Sequence, residues 1–176
     1  MLRQIIDIFD EVKLWEGNLI VNRNDFLNVE GRLDTRLFYI QSGCLRAFVM
    51  DGADEHTIRF GYKDDIFTAL DSFLSNRPSD FYIQALKKSR LRYVTKAKLY
   101  DFIYSKEEYT HTWIKMLEQF NVHQIAREMD LLISSPQERY QRVLKRSPQL
   151  FQEVPLKYIA NYLRMTPETL SRIRKS

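Results

Sequence analysis

The carboxy-terminal segment carries acidic, hydroxyl and cationic side chains at a spacing that suits contact with DNA. On a helix of about 3.6 residues per turn, Leu170 and Ile173 lie on one side and the polar side chains lie on the other. Arginine can donate two hydrogen bonds to guanine, glutamate can accept one from cytosine, and lysine can neutralise a phosphate. A face exposed only to water would also be polar. The candidate DNA-binding residues are Glu168, Thr169, Ser171, Arg172, Arg174 and Lys175.

Two short helices joined by a tight turn are predicted to position these residues. Residues 156–163 place apolar side chains three to four positions apart, which predicts the first helix. Residues 164–166 then form a three-residue turn, in which Thr166 is the cap and Pro167 opens the second helix. This arrangement is a helix-turn-helix. Ser135 and Pro136 predict, by the same cap chemistry, the start of an earlier helix.

The charge of the chain is unevenly distributed. Residues 1–133 contain 18 basic and 20 acidic side chains, whereas residues 134–176 contain 9 basic and 3 acidic ones, giving net charges of −2 and +6. A compact basic segment on a slightly acidic body is typical of proteins that bind nucleic acid. A solvated face would produce the same imbalance, so the charge supports nucleic-acid binding only in combination with the adjacent helix-turn-helix.

The amino-terminal half of the chain reads as a series of short strands. From Lys13 to about Tyr93, β-branched and aromatic residues alternate or cluster between turn signals such as Ser42-Gly43 and Asp51-Gly52. The predicted strands lie in the segments LNVE, RLFYIQ, LRAFVM, HTIRFGY and DFYIQAL. Turns every 8 to 12 residues or so predict an antiparallel sandwich or roll.

After Thr95 the hydrophobic period changes to that of a short helix followed by a long one. Apolar residues recur along the long helix three or four positions apart. Two interpretations are open: the helix lies on the body of its own domain, or it pairs with the same helix of a second copy. The candidate dimer-interface residues are Trp113, Leu117, Phe120, Val122, Ile125, Met129 and Leu132.

Composition excludes several classes of protein. No apolar run is long enough to span a bilayer and the first residues lack the apolar core of a signal peptide, so we expect a cytoplasmic protein. Cys44 is the only cysteine, and its surroundings predict a small buried side chain rather than a reactive thiol. The three histidines lack metal-site spacing, and no nucleophile or carboxylate motif is present. We therefore expect neither an enzyme nor a metal or cofactor site.

The tail resembles the DNA-binding module of the Crp/Fnr family of bacterial transcription regulators, most closely its short Bacteroidetes-type members. The matching positions are Ile159-Ala160, Leu163-Arg164, Met165, Thr166 and Thr169-Leu170-Ser171-Arg172. Residues 36–60 are similar to the family's cyclic-nucleotide-binding β-roll. The resemblance implies an α+β fold with a double-stranded β-helix (jelly-roll) sensor domain in residues 1–108, a long dimerisation helix in 109–134 and a helix-turn-helix domain in 135–176.

The same resemblance implies a sequence-specific DNA-binding transcription regulator. Its expected partners are double-stranded DNA and a second copy of the chain, with RNA polymerase and a small-molecule effector as further candidates. The alternative is a ligand-binding or protein-interaction module whose helix-turn-helix no longer reads DNA.

The segment that should hold a cyclic nucleotide departs from the family pattern. Cyclic-nucleotide binders of this fold use a glutamate for the ribose and an arginine for the cyclic phosphate. With Pro78 on the proline of that cassette, its glycine, glutamate, arginine and serine positions fall on Ala69, Leu70, Ser79 and Asp80. Losing a charged hydrogen bond costs about 1.5 to 3 kcal/mol, so we predict that cyclic AMP does not bind. A shifted register with Arg77 on the phosphate is the alternative.

Two further departures concern the tail. Arg164 stands at the turn where the family usually has glycine, and a left-handed conformation there would cost roughly 1 to 2 kcal/mol. Ser176 follows directly after the last predicted helix, leaving no wing hairpin in this sequence. We therefore expect DNA affinity to depend more on the dimer and on a set of basic residues in the tail. These are Arg139, Arg142, Lys145 and Arg146.

Overall fold

Two antiparallel four-stranded sheets face each other in the first half of the chain, in a computed structural model that describes residues 2–175. The strand orders are β1-β8-β3-β6 and β2-β7-β4-β5. The strands are β1 Gly17–Val21, β2 Phe26–Asn28, β3 Leu37–Ser42, β4 Cys44–Asp51, β5 Asp54–Tyr62, β6 Ile66–Phe67, β7 Tyr82–Ala85 and β8 Ser89–Val94. This confirms the predicted β-roll.

The turn between β3 and β4 shows why the predicted turn signals were informative. Gly43 has a φ of +104°, and a Cβ atom there would lie 2.2 Å from the hydroxyl of Ser89. Only glycine fits both the backbone conformation and the close approach. The predicted Ser42-Gly43 turn therefore joins the two sheets at this point.

Apolar side chains from both sheets meet inside the roll, because successive residues of a strand point to opposite faces. Ile40, Leu45, Ile83 and Leu91 are fully buried there. The larger cluster also contains Val21, Leu27, Phe38, Ala47, Phe67, Ala69 and Ala85. The space between the sheets is thus occupied by the protein's own hydrophobic side chains.

Helices surround the roll and form the second half of the chain. They are α1 Leu2–Glu11, α2 Leu70–Ser75, α3 Lys96–Tyr104, α4 Glu107–Leu132, α5 Pro136–Arg146, α6 Leu150–Glu153, α7 Leu156–Tyr162 and α8 Pro167–Lys175. The short helix and the long helix predicted after Thr95 are α3 and α4. Three helices were not predicted from the sequence: α1, which packs Ile5 and Phe9 into a cluster with α3, and the short helices α2 and α6.

The helix-turn-helix segment shares a hydrophobic core with the outside of the roll. Ile159, Leu163 and Leu170 are fully buried and belong to the same cluster as Cys44 of β4 and Phe60 of β5. Burial of this kind is the main stabilising term in folding. The two halves of the chain are therefore packed together rather than joined only through α4.

A polar contact reinforces this packing along β5, an edge strand of its sheet. The side-chain amide of Asn161, in α7, accepts a hydrogen bond from the Thr57 backbone N–H at 2.7 Å and donates one to the Glu55 carbonyl at 2.6 Å. It thereby occupies the hydrogen-bonding groups that an unprotected edge strand would expose. Arg127 of α4 also donates to the Thr57 carbonyl, at 3.1 Å.

Candidate nucleic-acid interface

The polar face of α8 is exposed, and its apolar face is buried. Leu170 is fully buried in the helix-turn-helix core, and Ile173 packs against the same core. On the opposite side, one shallow surface depression is lined by Pro167, Glu168, Ser171, Arg172 and Lys175. Arg174 is also exposed, whereas Thr169 is half-buried. Five of the six candidate DNA-binding side chains are thus accessible to a ligand as large as DNA.

The start of α8 is fixed by its cap. Thr166 accepts a hydrogen bond from the Thr169 backbone N–H at 3.2 Å through its hydroxyl, and Pro167 occupies the first helical turn. The side chain of Thr169 also contacts Thr166, with 3.2 Å between the two hydroxyl oxygens. Thr169 therefore contributes to the cap, and its role in DNA contact stays a prediction.

The turn before α8 does require a left-handed residue. Arg164 has a φ of +55°, and its N–H bonds the Asn161 carbonyl at 3.1 Å while the Met165 N–H bonds the Ala160 carbonyl at 3.0 Å. These bonds close the end of α7 in the manner of a left-handed C-cap. The Arg164 side chain reaches the roll, where Nη1 lies 2.7 Å from Nδ1 of His56. A glycine would make no such contact.

Arg139 does not lie on the DNA-facing surface, which corrects the expectation from the sequence. Its side chain is buried and donates to the Leu163 carbonyl at 2.6 Å, to the Arg164 carbonyl at 3.2 Å and to the Ile133 carbonyl. The last carbonyls of a helix lack partners within the helix. The Arg139 guanidinium donates hydrogen bonds to carbonyls at the ends of α4 and α7, and so holds the turn against the end of α4.

Two more of the predicted basic residues are paired with a carboxylate. Asp130, near the end of α4, is buried and forms ion pairs with Arg142 at 3.0 Å and with Arg146. The carboxylate neutralises part of the charge of these arginines. The two ion pairs also tie the end of α4 to α5. Lys145 is exposed and stays a candidate for phosphate contact.

This architecture is similar to that of several solved structures. No protein-family model and no curated protein matches the chain. A CooA mutant from Carboxydothermus hydrogenoformans is 15% identical with a TM-score of 0.75, over 97% of this chain and 82% of that one. FixK2 from Bradyrhizobium japonicum is 15% identical with a TM-score of 0.76, over 90% and 82%. A protein from Eubacterium rectale described as a transcriptional regulator of the Crp/Fnr family is 16% identical with a TM-score of 0.66, over 89% and 76%. The chain has the Crp/Fnr fold.

In this Crp/Fnr fold the cassette segment is closed by a carboxylate from the chain itself. Asp71 accepts hydrogen bonds from the Ser79 hydroxyl at 2.9 Å and from the backbone N–H groups of Asp80 at 2.7 Å and Ser72 at 2.7 Å. Hydroxyl and N–H groups of this kind are also what binds a phosphate. Ser79 is buried, Asp80 is exposed, Leu70 is half-buried and Ala69 belongs to the interior of the roll.

The long helix of the Crp/Fnr fold presents two apolar faces, and the seven predicted interface residues divide between them. Trp113 packs against the cluster formed by α1 and α3, and a cavity between α4 and the roll is lined by Trp113, Leu117 and Phe120. These three side chains therefore face the body of their own chain. The exposed residues of the set are Val122, Ile125, Met129 and Leu132, together with Ile114.

Cys44 is buried, as predicted, and burial raises the pKa of its thiol to about 12. Among the helices of residues 2–175, none is long and apolar enough to cross a membrane. Within that same part of the chain, no group of three His, Cys, Asp or Glu side chains is arranged to hold a metal ion.

Proposed function

We propose that this protein is a homodimeric, sequence-specific DNA-binding transcription regulator. The observation that carries the proposal is the exposed face of α8, where Glu168, Ser171, Arg172 and Lys175 stand together on a helix whose other face is buried. In a helix-turn-helix protein the second helix enters the major groove and its side chains contact base edges. The fold shared with CooA and FixK2 is consistent with this role.

The chemistry of this face divides between reading and positioning. Arg172 is suited to donate to guanine and Glu168 to accept from a cytosine amino group, because these are the pairings that major-groove geometry favours. Lys175 and Arg174 are suited to phosphates. The buried Arg139 contributes indirectly, since its three hydrogen bonds fix the turn that aims α8.

A second copy of the chain is needed to read two half-sites. On a helix of about 3.6 residues per turn, the five exposed apolar residues of α4 fall within an arc of about 80°, as they do along a coiled-coil seam. This stripe consists of Ile114, Val122, Ile125, Met129 and Leu132, of which Leu132 is 83% exposed. Pairing of two stripes would place two recognition helices on one side of the particle, as successive major grooves about 34 Å apart require.

The test is the variant Arg172→Ala. Preferred sites are first selected from random duplex DNA, and affinities are then measured by fluorescence anisotropy. We expect a loss of roughly 1 to 3 kcal/mol of binding free energy and relaxed preference at one base pair. Arg23→Ala, an exposed arginine of the roll, is the matched control and should bind as the wild type does. Wild-type affinity should also fall steeply as salt is raised.

Failure of the selection to enrich any sequence, or an Arg172→Ala affinity equal to that of the wild type, contradicts the proposal. Either result favours the alternative function, a ligand-binding or protein-interaction module. Contact with RNA polymerase is a further proposal for the regulator and needs the purified polymerase in the same assay.

We also propose that cyclic AMP is not the effector. The Asp71 carboxylate already accepts the hydrogen bonds that the loop of Ser79 and Asp80 can donate. A bound cyclic phosphate would have to displace this carboxylate while lying close to it, and like charges repel. Isothermal titration with cyclic AMP should give no heat of binding at micromolar concentrations, and micromolar affinity would overturn the proposal.

A further inference from the structure

A cavity lies where the roll, the long helix and the helix-turn-helix segment meet. Its volume is about 530 Å³, which is within the range of small-molecule sites in proteins. β5 contributes Arg59, Phe60 and Tyr62, and α4 contributes Phe120, His123, Gln124 and Arg127. The rest of the lining comes from Ile58 of β5, from Asp65, from residues 146–150 at the connection of α5 and α6, and from Tyr162 of α7.

The walls of this cavity carry more positive than negative charge. Three arginines line it, Arg59, Arg127 and Arg146, against the single carboxylate of Asp65. Arg146 is paired with Asp130, which lies outside the cavity wall. Two further arginines, Arg146 and Arg164, lie close enough to Arg127 to repel its positive charge. Asp65 interacts favourably with Arg59 and Asp130 pairs with Arg146, which leaves Arg127 as the lining arginine with no carboxylate among the charged groups that influence it.

The guanidinium groups of Arg127 and Arg59 donate hydrogen bonds to backbone carbonyls, and Asp65 adds a favourable charge interaction at Arg59. Arg127 donates to the Thr57 carbonyl at 3.1 Å and lies 4.9 Å from the centre of the Tyr162 ring, while its Nε is buried without a hydrogen-bond partner in the described chain. Arg59 donates to the Ile66 carbonyl at 2.8 Å and lies 5.0 Å from the Phe120 ring. Burial lowers the pKa of both groups, because their charge is poorly solvated.

A partly buried cation without a counter-charge is costly, so such groups are normally paired. Around Arg127, the Tyr162 ring and the Thr57 carbonyl fix the guanidinium plane but supply no negative charge. Guanidinium groups bind carboxylate and phosphate oxygens through two parallel N–H donors, and they do so more strongly than neutral donors. The arrangement is therefore preorganised for an anionic guest.

We propose that this cavity is a binding site for a small oxyanion, an organic phosphate or a polycarboxylate, held by Arg59 and Arg127. The site is separate from the cassette segment in the roll. Because its walls come from all three parts of the chain, an anion bound there would link β5 and α4 to the loop between α5 and α6. If the proposed DNA-binding function is correct, this link makes the anion an effector of the position of α8.

The binding test uses the full chain, without DNA. Isothermal titrations with inorganic pyrophosphate and, separately, with citrate should show saturable binding of at least one of them. Binding of pyrophosphate indicates a site for phosphates, and binding of citrate indicates a site for polycarboxylates. Arg127→Gln and Arg59→Gln should each weaken binding about ten- to a hundredfold, the usual loss for one charged hydrogen bond. The matched control Arg23→Gln should leave the affinity unchanged.

A second variant keeps the test valid even if an arginine variant does not fold. Gln124 lines the cavity one helical turn before Arg127, so Gln124→Glu places a carboxylate beside it without removing any contact of the arginines. We expect the melting temperature of the free protein to rise and anion binding to weaken at least tenfold. Absence of saturable binding by both anions overturns the proposal, as does equal binding by the wild type, Arg127→Gln and Gln124→Glu.

The outcome is distinguishable from failure of the proposed function. The titrations need no DNA, and the Arg172→Ala experiment needs no anion. Loss of DNA binding with retained anion binding would refute the regulator but leave the site, and the reverse result would refute the site alone.

Discussion

Substitution of Asn161 by alanine should release the helix-turn-helix segment from the roll. The amide of this residue makes two hydrogen bonds to the edge strand β5, at 2.7 Å from the Thr57 N–H and 2.6 Å to the Glu55 carbonyl. Loss of these two hydrogen bonds has different consequences at Glu55 and at Thr57. Glu55 is exposed, so water can replace the lost donor, whereas Thr57 is 1% exposed and its N–H would be left without a partner.

The size of the effect follows from this difference. Leaving a buried donor unsatisfied costs about 1 to 3 kcal/mol, and a bond that water can replace costs much less. For a chain of this size, a loss of 2 kcal/mol corresponds to a fall in melting temperature of roughly 4 to 8 °C. Local opening is the other route by which the cost can appear, since surface contacts between packed units open before the whole chain unfolds.

Two measurements cover both routes. Urea unfolding followed by circular dichroism gives the change in the free energy of unfolding, and deuterium exchange of peptides that span β5 reports the local opening. Asn18→Ala, an exposed asparagine on β1, is the matched control and should change neither quantity. An Asn161→Ala variant within about 0.5 kcal/mol of the wild type, with unchanged exchange in β5, would show that this pair does not hold the two units together.

Three further predictions address the dimer, the thiol and the ligand. Ile125→Glu puts a charge in the exposed apolar stripe of α4, so sedimentation should show a monomer with weakened DNA affinity; an unaltered dimer would place the interface elsewhere. Cys44 is buried with a pKa of about 12, so Ellman's reagent at pH 8 should titrate one thiol per chain in urea and almost none in the native protein, and rapid native reaction would contradict its burial. Asp71→Ala should not by itself create micromolar cyclic AMP affinity, because the glutamate and arginine of the cassette are still missing; titration checks this.

The parts of the fold that were predictable from sequence depend on neighbouring residues. Ser135 with Pro136, and Thr166 with Pro167, mark helix starts through local hydrogen bonds, and both caps are present in the structure. The β-roll and the long helix follow from hydrophobic period and turn residues, which is also local information. α1 and the short helices α2 and α6 were missed. The type of α1 and α2 is decided by packing against α3 and by the closed loop at Asp71.

The candidate site was predictable only in part, for the same reason. The outward face of α8 follows from its helical spacing. The role of Arg139 does not, because the carbonyls it bonds lie up to 25 positions away in the sequence. As a result, a residue that looked like a phosphate contact serves to hold the turn.

The sequence by itself thus determined the class of fold, the long helix α4, where α8 begins and which of its side chains face outward, because caps and periodicity act within a few residues. Only the tertiary structure decided which charges are free. Packing of the helix-turn-helix segment against β5 brings together Arg59, Arg127 and Arg146 from three separate elements, and Asp130 is buried at the junction of α4 and α5. Electrostatic environment depends on distance in space and on access to water, and neither is encoded in the spacing of residues along the chain.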